Sequence, residues 1–102
     1  MKSTKLYRAV SEAEFQDLTQ NRVFQSGPSS LEGKWFAESA DDAVEWGDLL
    51  QGPGNYRIIE VELSNEAAKQ FFRVEKLDNI GPARYGELDQ LHNTAFREVT
   101  YE

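Results

Sequence analysis

Between Gly33 and Trp46 the sequence GKWFAESADDAVEW makes an extended segment hand over to a helix within two residues. Trp35, Phe36 and Ala37 form an apolar run bounded by Gly33 and Ser39, which predicts a short buried strand over Lys34–Ala37. Ser39 stands where an N-cap belongs, and Asp41 and Asp42 fall in the first turn, where the helix dipole favours carboxylates. Ala43, Val44, Trp46, Leu49 and Leu50 then recur at helical spacing. Such a junction can present a polar side chain to a ligand. It is also the ordinary way a strand meets a helix, so both readings stay open.

Around this junction the other elements fall into place. Lys5–Val10 reads as a first strand, with Leu6, Arg8 and Val10 on one side and Tyr7 and Ala9 on the other. Arg8 there either covers apolar surface with its stem or holds an anion at the rim of a cleft. Ser11-Glu12-Ala13-Glu14 is a capping-box pattern and starts a helix through about Gln20. Gln25–Gly33 and Gln51–Asn55 are loops by their Gly, Pro and Ser content. Tyr56–Leu63 is the clearest strand: Ile59, Val61 and Leu63 line an apolar face, and Glu60 and Glu62 a solvated one. Ser64 caps a short helix, Phe72–Val74 is a short strand, and Asn79–Gly86 reads as a second Gly/Pro-rich loop. Leu88–Leu91 and Ala95–Tyr101 are expected to be the closing strands. This order predicts one α+β domain over residues 1–102, a sandwich with antiparallel strands towards its end.

Composition narrows the chemistry. With 11 basic against 18 acidic residues the net charge is −7, which disfavours capture of nucleic acid by clustered cations. No cysteine is present, so disulfides and thiolate chemistry are excluded. A single histidine, His92, rules out a histidine-rich metal site and is expected to be a surface or capping residue. No apolar run approaches the length of a membrane span, and a soluble domain is expected.

Three polar residues stand at strand ends beside turns: Arg8 in LYRAV, Ser39 ending KWFAES, and Glu87 after NIGPARYG. In that order the chain resembles the ADP-ribosyltransferase toxin domains at the C-termini of bacterial Rhs-type polymorphic toxins. Those domains carry an Arg-Ser-Glu signature spread over three strands. The likeness is fullest to the group that modifies elongation factor Tu, and it covers essentially all 102 residues. Its carriers are Tyr7-Arg8, then Trp35-Phe36-Ala37-Glu38-Ser39, then Gly86-Glu87-Leu88.

The resemblance implies a compact two-sheet β-sandwich with short flanking helices and a mono-ADP-ribosyltransferase using NAD as substrate, without metal. It implies that Glu87 stabilises the positive charge developing on the nicotinamide ribose, by the logic that governs glycosyl transfer generally. Arg8 would hold phosphate or the adenosine-side ribose, and Ser39 would orient Glu87 or the ribose. Tyr85 or Trp35 would stack on nicotinamide, with Tyr7 and Phe36 nearby in the cofactor-binding set. It further implies a tail of a larger secreted toxin, acting in the target-cell cytoplasm on elongation factor Tu and neutralised by an immunity protein. Neither a membrane nor nucleic acid is an expected partner.

Two departures from the wider family qualify this. Only Ser39 remains of the usual Ser-Thr-Ser strand, and Tyr85 stands where arginine-modifying relatives have Glu or Gln, which argues against arginine as acceptor. Asp89 is the alternative acid; Glu38 points across the strand and is expected to face solvent. Arg57 and Arg84 are either phosphate contacts or surface charge. A rival reading is a small acidic immunity or antitoxin-type binding protein, which has no reason to gather Arg8, Ser39 and Glu87 at one cleft. A nuclease toxin is disfavoured by the acidic balance and the lone histidine.

Overall fold

The computed structural model describes residues 3–21, 33–77, 79–87, 90–91 and 94–100. The loop expected at Gln25–Gly33, apart from Gly33 itself, lies outside them. So do Leu88, Asp89, His92 and the Tyr101 end of the last expected strand.

The elements run β1 (Ser3–Val10), α1 (Glu12–Asn21), β2 (Gly33–Ala37), α2 (Ala40–Leu50), β3 (Arg57–Ser64), α3 (Asn65–Lys69), β4 (Phe72–Leu77), β5 (Gly81–Glu87) and β6 (Ala95–Val99). Each helix starts at the serine that sequence placed there. Ser11 Oγ accepts from Glu14 N at 3.1 Å, Ser39 Oγ from Asp42 N at 3.2 Å, and Ser64 Oγ from Ala67 N at 3.1 Å. Each bond satisfies a helix N–H that has no partner within the helix.

The fold is α+β and its strand pairings are antiparallel. The strands form one six-stranded sheet in the order β4-β5-β2-β1-β3-β6, rather than two stacked sheets. Helices do the covering that a second sheet would otherwise do. On one face Leu6, Val10, Phe36, Ile59, Val61 and Leu63 pack against Leu18 of α1 and Ala68 of α3. On the other, Ala37, Ile58 and Ala83 pack against Ala43 and Trp46 of α2. The period-two alternation of β3 thus buries both faces, Ile58 on one and Ile59 on the other, each 0% exposed. Tyr56 fastens α2 down: its hydroxyl donates to Asp48 Oδ1 at 2.6 Å, and its ring fills the space above Gly47, where a Cβ would fall 2.4 Å from it.

Three expectations need correcting. Asn79–Gly86 is mostly strand: Gly81–Glu87 is β5, an interior strand between β4 and β2. Pro82, which has no N–H to give, is accommodated by an irregularity in the β4–β5 ladder. Val74 pairs with Ala83 and Leu77 with Gly81, so Glu75 and Lys76 oppose Pro82 alone. Pro82 also lies beyond the last β2 pairing, Ala37 with Ala83. Secondly, Gln90 and Leu91 are not strand. Their N–H groups donate to Glu87 O at 2.9 and 3.1 Å, a turn that drops Leu91 into the core. Thirdly, the acidic face of β3 is not uniformly solvated. Glu62 is exposed, but Glu60 is only 7% exposed, covered by Arg97 of β6 at 2.8 Å.

Candidate functional site

The sheet is nearly interrupted between β1 and β2. β1 pairs with β3 along its whole length, from Ser3 with Ser64 to Val10 with Arg57. On its other edge it pairs with β2 only at Tyr7 and Ala37. Beyond that point the strands part, and a side chain takes the place of the ladder: Arg8 Nη1 donates to Trp35 O at 3.1 Å.

Arg8 is fixed from the other side as well. Its Nε and Nη2 donate to the two carboxylate oxygens of Glu14 at 2.8 and 2.9 Å, a bidentate pair about one-fifth exposed on each side. Local sequence explains the pairing. Strand alternation puts Arg8 on the α1 face, and the Ser11 cap begins α1 so that Glu14 returns over it. Burial works to raise the Glu14 carboxyl, but the bonds from Arg8 and the charges of Arg8 and Lys34 win and hold it below its ordinary range. Lys34, on the same face, is 7% exposed. Burial lowers its ammonium from the usual lysine range, with Glu14 opposing and Arg8 reinforcing.

On the opposite face the gap opens into a cavity of about 130 Å³ lined by Tyr7, Arg8, Ala9, Trp35, Ala37, Trp46, Leu50, Gln51 and Leu77. An apolar cavity of about 150 Å³ accepts a benzene ring, so this one suits a single planar ring. Beside it, Trp35 stands 5.1 Å from Tyr85 and 6.4 Å from Phe72, an aromatic row across three strands whose outer member, Phe72, is 65% exposed. Tyr7 also faces Glu60. Burial raises its phenol above the usual range, aided by its bond to Glu60 and by that carboxylate's charge. Glu60 itself is held low, chiefly by its bond from Arg97.

The residues singled out from sequence therefore divide. Tyr7, Arg8 and Trp35 meet at the gap, and Tyr85 stands against Trp35. Phe36 does not join them: it is 1% exposed in the core on the other face of the sheet, as alternation next to Trp35 requires. Ser39 spends its hydroxyl as the α2 cap. Glu87 lies opposite Gly33, at the other end of the β2–β5 ladder from Ser39. The strand between them spans at least about 13 Å at about 3.3 Å per residue. Its side chain is exposed, and its N–H donates to Gln90 Oε1 at 2.9 Å.

Several polar partners were missed at the level of sequence. Glu38 is not a free solvent-facing carboxylate. It accepts from Arg73 Nε at 2.8 Å and Arg84 Nε at 2.7 Å, and these lower it, the Arg73 bond most. Arg84 also donates to Ala68 O at 3.2 Å, and Arg57 pairs with Glu12 and Glu98, so both arginines are engaged within the fold. Glu14 was visible only as a helix-start residue; the signal for its second role was its place on the helix that directly follows an inward-facing arginine. Lys34 carried no signal beyond its position in a buried strand. No protein-family model, curated protein or solved structure matches the chain, so any functional reading rests on these residues and their geometry.

Proposed function

We propose that this chain is a mono-ADP-ribosyltransferase domain of a bacterial antibacterial toxin, which takes NAD at the β1–β2 gap and modifies elongation factor Tu. The observation that carries the reading is the meeting of Tyr7-Arg8 with Trp35 at one opening in the sheet. These belong to two separated segments of the resemblance. The ring-sized cavity suits the single ring of nicotinamide, with Trp35 and Trp46 as walls. Arg8 supplies a cation at the same gap, its guanidinium held on the opposite face by Glu14 and Trp35 O.

In the reaction the bond between the ribose C1′ and the nicotinamide nitrogen breaks, and the pair of electrons leaves with nicotinamide. A nucleophile of the target protein bonds to C1′ and gives up its proton. Positive charge develops on the ribose, so a carboxylate must face it. Glu87 is the acid assigned to that task, from the sheet end beyond Tyr85. The two-sheet family architecture would correspond to the two three-stranded halves, β4-β5-β2 and β1-β3-β6, that meet at Tyr7 and Ala37. On this reading the domain is delivered as part of a larger secreted protein, works in the recipient's cytoplasm and is matched by an immunity protein.

A second reading, a non-enzymatic binding protein of the immunity or antitoxin kind, is favoured by a specific observation. Ser39 and Glu87 stand at opposite ends of the β2–β5 ladder, and Leu49, Leu50 and Phe72 are exposed apolar side chains of the sort a protein partner covers. One experiment separates the two. The chain is incubated with labelled NAD in a bacterial lysate beside Glu87→Ala and Arg8→Ala. The transferase reading expects one labelled band at the size of elongation factor Tu, lost in both variants. Label on another protein discards the target and keeps the reaction. Label that survives Glu87→Ala discards that acid. No label, together with normal growth of cells expressing the chain, leaves the binding protein as the account.

A further inference from the structure

The large exposed apolar side chains are not scattered over the molecule. Leu50 lines the cavity, and Leu49 stands beside it in the last turn of α2. Trp35 lines the same cavity from β2, and its ring lies against those of Tyr85 and Phe72. One apolar surface therefore runs from the end of α2, around the cavity, to the outer strand β4. A single exposed leucine needs no account, but a contiguous apolar patch marks a surface that something covers. Aromatic side chains are the type that carries binding energy between proteins.

Charge decides what the occupant is. The helix at one border, ADDAVEWGDLL, holds four carboxylates and no base. Asp41, Glu45 and Leu49 follow at four-residue spacing and all are exposed, so an acidic stripe leads into the patch. Across the patch, Glu87 is exposed and shares the face of Tyr85, two residues before it in β5. Among the described residues the arginines pair with other glutamates, and no ion pair neutralises Asp41, Glu45 or Glu87. Nucleic acid and an anionic membrane bring phosphates, which such a border repels. A second copy in a two-fold pair would set the patch against itself, acids against acids, in chains of net charge −7 each.

We propose that the surface from Leu49 and Leu50 across Trp35 to Phe72 docks a basic protein segment, with apolar side chains on the patch and lysines or arginines facing Glu45 and Glu87. The inference stands apart from both readings of the cavity, because this partner covers the rim whether or not a ring sits below it. Apolar contact supplies the affinity, and the unneutralised carboxylates select the sign of the partner.

The test uses the full chain and two synthetic amphipathic peptides, each with leucine and phenylalanine on one face, and with either lysine or glutamate on the other. Binding is followed by calorimetry for the wild type, Leu49→Ser with Phe72→Ser, Glu45→Gln, and Glu66→Gln, the last on α3 across the sheet. Saturable binding of the lysine peptide is expected, weakened about tenfold or more by the paired serine substitutions. Glu45→Gln should weaken it about threefold and Glu66→Gln leave it unchanged. No saturable binding, or equal affinity after the paired serine substitutions, overturns the docking surface. Equally tight binding of the glutamate peptide overturns the basic occupant. Self-association of the wild type that Phe72→Ser abolishes assigns the patch to a second copy and overturns the proposal. Should the paired variant fail to fold, NMR of the wild type decides. Shifts of the Trp35 indole N–H and the Leu49 and Phe72 amides on saturation support the surface, and shifts confined elsewhere overturn it. Neither peptide contains a nucleotide, so failure here leaves the labelled-NAD experiment to judge the transferase reading by itself.

Discussion

The two edges of β1 are made of the same eight residues and behave differently. Towards β3 every residue from Ser3 to Val10 is paired, over a core of Leu6, Val10, Ile59 and Val61. Towards β2 one pair remains, and an arginine, a glutamate and a buried lysine occupy the border. The closed edge is where burial and ladder hydrogen bonds accumulate. The open edge gives up ladder bonds for charged groups and a cavity, the pattern expected where a protein trades stability for binding.

The largest effect tests the closed edge. Ile59→Ala, at a side chain 0% exposed between β1 and the α1 face, is expected to cost about 3 kcal/mol, read from the denaturant midpoint. A loss below about 1 kcal/mol would show that β1–β3 does not dominate stability. Next comes the tie across the open edge. Glu14→Gln leaves Arg8 and Lys34 without their shared carboxylate and is expected to cost about 2 kcal/mol, the pair being about one-fifth exposed. Arg8→Met in the same background should then cost little more, because the partner is already gone.

Acid is a gentler probe of the same groups. Glu14, Glu38 and Glu60 all have carboxyls lowered from the ordinary 4.5. The unfolded chain therefore takes up protons first, and stability present at neutral pH is lost as pH falls from about 4.5 through their lowered values. Unfolding free energies at pH 7, 4.5 and 3 should fall in that order, and Glu14→Gln should flatten the slope. The smallest expected effect has the opposite sign. Lys34→Met removes the desolvation of a lysine that is 7% exposed at the open edge and should stabilise the fold by about 1 kcal/mol at pH 7. In the wild type the same relief should come with alkali, as stability rises while pH climbs from the lowered lysine value towards 10.5. Destabilisation by Lys34→Met would mean that the ammonium holds the strand in place.

What sequence could show follows from the range of the interactions involved. Serine caps, the alternation of β3 and the Trp35–Trp46 handover depend on neighbours a few residues apart, and these were legible. Gly81–Glu87 was not, because Gly, Pro and Gly are turn residues locally, whereas β4 and β2 on either side make the segment a strand. Glu38 was misread for the same reason: its arginine partners lie 35 and 46 residues away. Arg8 was recognised as a rim candidate, but neither its carboxylate partner nor the breach in the ladder that it bridges has a local signature. Phe36 and Trp35 are adjacent in an apolar run, and only the sheet's two-sided burial tells which of them meets the cavity.

The outer strands of this open sheet, β4 and β6, determine how it meets its neighbours. β4 carries Arg73, Glu75 and Lys76 and is distorted opposite Pro82, while β6 carries Arg97 and Glu98. Charge and irregularity of this sort keep a free strand from templating another chain. Such margins resist fibre-like growth through shared backbone bonding. They direct any specific recognition to side chains on the faces and in the breach instead.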